Sequence, residues 1–256
     1  MSFETIQFSI RDGIATIILN RPDLMNALNT RMRAEITQAL TGLGDDVRCV
    51  VLTGSGRAFC SGQDLTDTNS VTDIEGTLRD EYEPMLRAIV DCPVPVIAAV
   101  NGTAAGAGAN LALCCDVVIA AESASFIEAF TRIGLIPDAG GTWFIPRLVG
   151  HARAMGMMLM ADAIPAQKAA DWGLIWQALP DDQFAKGVVE TARKLADGPT
   201  SAYRAVRKLV AESMDNDLDD QLKLEAKLQG QAGRSSDFSE GVQAFLQKRP
   251  AKFTGR

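Results

Sequence analysis

The stretch Val96-Ile97-Ala98-Ala99-Val100-Asn101-Gly102-Thr103-Ala104-Ala105-Gly106-Ala107-Gly108-Ala109-Asn110 decides the fold class. Its first five residues are unbrokenly apolar, with Pro95 before them and Asn-Gly after, which reads as a short buried strand. The small residues from about 106 to 114 then read as a helix able to approach its neighbours closely. Working outward, the same order recurs. Ile6 to Ile10 and Ile14 to Leu19 flank Arg11-Asp12-Gly13 as a hairpin. Asn20-Arg21-Pro22-Asp23 is a loop, followed by a helical period through Met32, Ile36, Ala39 and Leu40. Cys49 to Leu52 is a strand ending in Thr53-Gly54-Ser55-Gly56, a helix near 78–90 leads to Pro93-Val94-Pro95, and Val117 to Ala120 is another strand. Strand, loop and helix thus alternate through residue 120, which predicts an α/β core.

From about residue 140 the pattern turns helical, with one last strand expected within Leu174–Leu179 and a helix over 181–196. Gly198-Pro199 is the best break, dividing the chain into a core, 1–197, and a helical region, 198–256. That region carries apolar residues at helical spacing: Tyr203, Val206, Leu209 and Val210; Leu218, Leu222, Leu224 and Leu228; Phe238, Val242, Phe245 and Leu246. Three short helices can bury such faces only against the core or a neighbouring subunit.

The chain has 256 residues, 47% hydrophobic and 22% charged, enough to bury a sizeable core. A net charge of −7 argues against nucleic acid or an anionic membrane as partner. A phosphate-bearing ligand needs only a local basic patch and stays allowed. No run reaches the roughly 18 apolar residues of a membrane helix. The opening Met-Ser-Phe-Glu lacks a signal peptide's basic and apolar segments. Five cysteines without CxxC spacing read as reduced core thiols, so a cytoplasmic location and no metal are expected.

Three small-residue stretches carry the chemistry: Ala58-Phe59-Cys60-Ser61-Gly62-Gln63-Asp64-Leu65, then Asn101 to Asn110, then Gly134-Leu135-Ile136-Pro137-Asp138-Ala139-Gly140-Gly141-Thr142. Small residues let backbone N–H groups approach a ligand, and a following helix start adds partial positive charge. Taken singly, each is better read as a tight turn or close helix packing. A dinucleotide or P-loop site fails, because Gly106-Ala107-Gly108 lacks the third glycine and no GK[ST] exists. The single histidine, His151, and the lack of a G-x-S-x-G elbow argue against a serine hydrolase.

Together with Asn20-Arg21-Pro22, Val100-Asn101-Gly102 and Cys115-Asp116, these stretches resemble, in order and along essentially the whole chain, the enoyl-CoA hydratase/isomerase (crotonase) family. The resemblance implies an α/β spiral of ββα units, a C-terminal helical trimerisation region, and a trimer or dimer of trimers. It implies an acyl-CoA thioester substrate, with coenzyme A entering as part of that substrate and no further cofactor. It also implies a thioester oxygen held between the backbone N–H groups of Gln63 and Ala107, an oxyanion hole. Asn26, Ala27, Ala58, Cys60, Gly62, Asp64, Leu65, Gly106, Gly108, Phe130, Leu135 and Pro137 would line the acyl-CoA site, Asp64 chiefly as support for the oxyanion loop.

Departures from the family's hydratase branch bear on the reaction. Hydratases resemble one another in two glutamates that hold and split water; here those places are Asn110 and Phe130. Asn110 cannot exchange a proton, and Phe130 offers an apolar wall. Asp138 stands instead where hydratases commonly have glycine, as in the isomerase-like branches whose single aspartate shuttles a proton. Beside an apolar wall of Phe130, Ile133, Leu135 and Ile136, its pKa should rise, which suits a base that must return its proton. Pro-Asp-x-Gly is also a common turn sequence; the resemblance favours the catalytic role. Glu128, two residues before Phe130, is a candidate substitute base, but a solvated carboxylate aimed elsewhere is the better reading. Further strings, among them Leu135-Ile136-Pro137-Asp138 and Trp172-Gly173-Leu174-Ile175-Trp176, look like the ring-1,2-epoxyphenylacetyl-CoA isomerase branch, which rearranges a ring epoxide to an oxepin thioester. A shift of a 3-enoyl to a 2-enoyl double bond needs the same groups. Hydration and non-catalytic acyl-CoA binding are the alternatives.

Overall fold

In β2, Ile14–Leu19, alternate residues Ala15, Ile17 and Leu19 point into the core, the period-two pattern of a strand with one buried face. It pairs antiparallel with β1, Ile6–Arg11, across a two-residue turn in which Asp12 and Gly13 both have positive φ, the tight turn that suits twisted strands. The computed structural model describes residues 3–68 and 72–255; Met1, Ser2, residues 69–71 and Arg256 lie outside the described residues.

From β2 the sheet runs parallel through β3, Cys49–Gly54, β5, Val96–Val100, β7, Val117–Ala121, and β10, Gln177–Leu179. Every residue of β5 is buried, as a strand covered on both faces requires. On one face the helix Asp181–Ala196 packs Val188, Ala192 and Ala196 against Val51, Ile97 and Ile119. The larger core fills the other face, built on Ile17, Leu52, Ala98 and Val100 with the helices Thr30–Thr41 and Glu83–Val90.

A second sheet completes the molecule: β4, Ala58–Cys60, β6, Thr103–Ala105, β8, Ser125–Ile127, and β9, Ile164–Pro165. The first three pair in parallel, and each follows a strand of the large sheet after a short turn. Strand, short strand and helix therefore repeat, and the chain winds as a spiral of ββα units with a helical C-terminal region. The short strands are absent from the sequence reading because runs of two or three residues are too short to show a periodicity. The last strand is also shorter than expected, Gln177–Leu179, and the helix expected near 78–90 begins at Ile74, continues through a π-helical turn, Leu78–Tyr82, and ends at Val90.

The tail comprises helices Thr200–Glu212, Leu218–Ala232 and Ser236–Leu246. It is fastened to the core by arginines, among them Arg204, which donates to the Pro93 carbonyl. Arg48 donates to the Gly198 carbonyl and to Thr200 Oγ1, both at 2.6 Å. Arg207 pairs with Asp116 at 2.6 Å and donates to the carbonyls of Ile89, Val90 and Cys92 at the end of helix Glu83–Val90. Asp116 also accepts from Val96 N–H at 2.7 Å, anchoring the start of β5. No described helix is long and apolar enough to cross a membrane.

Candidate active site

The small sheet brings the first two small-residue stretches together. Its strands β4 and β6 end side by side, so Gly62 faces the start of helix Ala107–Leu113. A Cβ on Gly62 would lie 2.7 Å from the Ala105 carbonyl oxygen and 3.3 Å from Ala107 N, and φ at Gly62 is +92°. Only glycine fits that approach and that conformation. Gly108 similarly sits against the Cys60 carbonyl.

Gln63 forms a parallel bridge with Leu28 in which the neighbours do the bonding: Leu28 N–H donates to the Gly62 carbonyl and Asp64 N–H to the Leu28 carbonyl. The Gln63 amide therefore points the other way. At Gly106 the N–H is taken by the Ile127 carbonyl, leaving the next amide, that of Ala107, at the helix start. Among the described residues, neither Gln63 N–H nor Ala107 N–H donates a hydrogen bond. Two free amides, one on the loop after β4 and one at the helix start after β6, can receive a developing negative oxygen.

Asp138 stands in the turn before helix Gly141–Val149, half-buried, with Oδ1 buried and unpartnered. Burial pushes its carboxyl up to about 6, against a pull downward from the Arg33 guanidinium. Behind it lies Asn110, fully buried, whose Nδ2 donates to the Asp138 backbone carbonyl at 2.9 Å and to Glu128 Oε2 at 3.4 Å. Asn110 Oδ1 and Glu128 Oε1 are likewise buried without a partner. Phe130 is buried against Gly106, closing this side with an aromatic ring.

Glu128 corrects the sequence reading. It is 1% exposed rather than solvated, and burial, with the nearby Asp138 charge, raises its pKa to about 8 against the Asn110 bond, which lowers it. Strand alternation in β8 places Phe126 inward, and Glu128, two residues on, falls on the same face just before the 3₁₀ segment Ala129–Ile133 begins.

The apolar wall is also smaller than expected. Phe130 is buried and Leu135 half-buried, but Ile133 and Ile136 are exposed, because Gly134 turns left-handed between them and Leu135 N–H folds back onto the Phe130 carbonyl. Leu65 is largely exposed and Pro137 half-buried, both near the loops they were assigned to.

Asn26, Ala27, Ala58 and Cys60 form the frame of the loop that carries Gln63. Asn26 is wholly buried, its amide nitrogen donating to the carbonyls of Ser55, Ala58 and Phe59. Ala27, through its carbonyl, accepts from Arg21, which also pairs with Asp64 at 2.8 Å. Asp64 further accepts from Thr66, so its role is to brace the loop. The Cys60 thiol donates to the Asn26 carbonyl and is pushed up to about 12 by burial, which leaves it inert as a nucleophile.

A profile of proteins described as enoyl-CoA hydratase/isomerase matches residues 9–256. A protein of Rhodobacter capsulatus named as a probable enoyl-CoA hydratase is 59% identical over the whole of both chains. This chain belongs to the enoyl-CoA hydratase/isomerase family. Within the family it is also 45% identical, over 99% of each chain, to the 1,2-epoxyphenylacetyl-CoA isomerase of Escherichia coli. Its fold superposes on the crystal structure of an enoyl-CoA hydratase/isomerase family protein from Mycobacterium abscessus with a TM-score of 0.93 at 39% identity, covering 98% of this chain and 100% of that one. Such proteins act on acyl-CoA thioesters, and the crotonase fold is thereby fixed.

Sequence reasoning passed over Arg33, Glu81 and Tyr82. Arg33 is fully buried beside Gln63, and Glu81 and Tyr82 meet it from the π-helical turn. A signal existed: Arg33, Ile36 and Leu40 share one helix face at i, i+3 and i+7, and a charge on a core-facing stripe calls for a buried partner.

Proposed function

We propose that this protein is an acyl-CoA isomerase in which Asp138 alone carries the proton. The observation that carries the reading is the unpartnered Asp138 Oδ1, half-buried and raised to about 6, in the same site as the free Gln63 and Ala107 amides. For a 3-enoyl-CoA, the Asp138 carboxylate removes a proton from C2. The electron pair moves onto the thioester oxygen, held by the two amides, and the same proton returns at C4, leaving the double bond at C2–C3. Nothing is oxidised or reduced, and no cofactor beyond the substrate's own coenzyme A is called for. Rearrangement of ring-1,2-epoxyphenylacetyl-CoA to its oxepin thioester uses the same enolate hole and proton carrier, and the Escherichia coli relative supports that substrate.

Hydration is the second reading, favoured by one observation. A second carboxyl shares the site through Asn110, with Glu128 raised to about 8 and Asp138 to about 6, an acid and a base set apart by their surroundings. The Rhodobacter capsulatus relative points the same way. Incubation with crotonyl-CoA and with a 3-enoyl-CoA, following the conjugated enoyl absorbance, separates the two. Gain from the 3-enoyl ester is the expected result; loss from crotonyl-CoA means hydration, and neither overturns both.

The assembly that goes with this reading is a cytoplasmic trimer or dimer of trimers joined through residues 198–256. Val210, Leu218, Phe245 and Leu246 are all more than 60% exposed in the single chain, apolar surface that a second copy would cover. Truncation at Gly198 should give aggregation and lost activity, read by light scattering beside the assay. A stable, active monomer would remove the trimer.

A further inference from the structure

We propose that Arg33 is a positioning residue for the oxyanion hole, holding the Gln63 amide in place through the Gln63 side chain. The proposal rests on the enolate reading above and goes beyond it, since Arg33 stands behind the loop and reaches the chemistry only through another residue.

Arg33 has no exposed surface, yet all three guanidinium nitrogens are bonded. Nη1 donates to the Leu28 carbonyl at 2.8 Å and to Gln63 Oε1 at 2.9 Å. Nε and Nη2 converge on Glu81 Oε2 at 3.0 and 2.6 Å, and Nη2 also reaches Thr30 Oγ1 at 3.2 Å. The Tyr82 ring lies under the guanidinium, 4.7 Å from its carbon, and its hydroxyl donates to the same Gln63 Oε1 at 2.7 Å. Gln63 Nε2 closes the set on the Asp64 carbonyl at 3.0 Å. The Gln63 side chain is thus fixed at both ends.

This arrangement does what loop packing alone would not. Arg33 grips Leu28 and Gln63 together, the two residues of the isolated bridge that turns the Gln63 N–H outward. A rigid fork suits that double grip, and lysine would make only a point contact. Burying a cation is costly unless it is paired and bonded, so the carboxylate of Glu81 belongs to the same device. The charge has a second effect: it is the influence that pulls the Asp138 carboxyl downward against burial.

The test uses three variants of the full chain and two readouts independent of turnover. Acetoacetyl-CoA, a β-keto thioester, reports the oxyanion hole by the ultraviolet band of its bound enolate; carbon-13 NMR of labelled aspartate reports the Asp138 midpoint. Tyr82→Phe keeps the charge and removes one hold on Gln63, so enolate binding should weaken roughly five-fold, one hydrogen bond's worth, with the Asp138 midpoint unmoved. Arg33→Lys should weaken the enolate roughly ten-fold or more, again with little change at Asp138. Arg33→Met combined with Glu81→Gln, which avoids stranding a half-buried carboxylate, should lose the enolate band and move the Asp138 midpoint upward. Wild-type enolate binding in Tyr82→Phe and Arg33→Lys would overturn the proposal, whether or not the double variant folds. An Asp138→Asn protein that still isomerises would instead remove the proposed function, while the enolate readout on the Tyr82 and Arg33 variants would still test this proposal.

Discussion

Around Gln63 every side-chain polar atom has a partner: Oε1 takes bonds from Arg33 and Tyr82, and Nε2 gives one to the Asp64 carbonyl. Around Asp138 three oxygens, of Asn110, Glu128 and Asp138 itself, are buried with none. The two regions share one site and are built in opposite ways. The first leaves only backbone amides free, already aimed, so that a developing oxyanion meets donors that need not reorganise. The second leaves acceptors unsatisfied in an apolar setting, which raises their affinity for a proton. In the proposed mechanism the first half does the same job throughout the reaction, whereas the second must release its proton as readily as it takes it.

The largest break in this comparison is Asp138→Asn. It keeps the volume and removes the proposed proton carrier, so isomerisation should fall by about 10²–10⁴-fold while thioester binding stays within a few-fold. Near wild-type turnover would pass the role to Glu128. In the unaltered protein the same carboxyl must be ionised to act, so kcat should fall as pH drops through about 6.

Next in size is Gly62→Ala, which breaks the other half. At φ +92° and 2.7 Å from the Ala105 carbonyl, an added methyl must displace the loop that carries the Gln63 amide. Losing one oxyanion donor costs about 10²–10³ in kcat. The acid limb near pH 6 should not move, because nothing around Asp138 has changed. A shifted limb would mean that the two halves are not separable.

A third change sharpens the contrast between proton transfer and water activation. Asn110→Glu alone should not create a crotonyl-CoA hydratase, since Phe130 remains as an apolar wall and the bond from Asn110 to the Asp138 carbonyl is lost. The double change with Phe130→Glu is the comparison. Strong hydration by the single variant would show that the ring is not the barrier.

The binding half was the more legible in the sequence, and the reason is physical. Backbone donors need glycine and alanine at fixed places, and Gly62, Gly106 and Gly108 mark those places whatever the rest of the chain does. The spiral's long strands and all three tail helices were likewise written in apolar periodicity. The small sheet was not, because three-residue strands such as Thr103–Ala105 are too short to show a period. Arg33 and Glu128 were missed for a related reason. A charged residue reads as solvent-facing until something says what it is buried against, and for these two that something is distant in sequence: Gln63 and Glu81 for Arg33, Asn110 for Glu128.

Glu128 gives the smallest expected effect and the most direct measure of what unsatisfied burial costs. Its carboxyl is raised from about 4.3, the usual value in an unfolded chain, to about 8 in the fold. Below both values the carboxyl is protonated in either state and costs nothing extra. Between them the folded protein holds a proton that the unfolded chain has released, so stability falls as pH rises from about 4 to 8. Glu128→Gln keeps an acceptor for Asn110 and cannot ionise, so it removes that slope. Relative to the unaltered protein it should gain stability between pH 5 and pH 8, by a few kcal/mol at most, given about 1.4 kcal/mol per unit of pKa. For a chain of this size that is roughly 2–4 °C in Tm per kcal/mol, within reach of calorimetry at two pH values. A difference between the two proteins that stays flat across that range would mean Glu128 is hydrated in solution, and the contrast between the two halves of the site would lose its energetic basis.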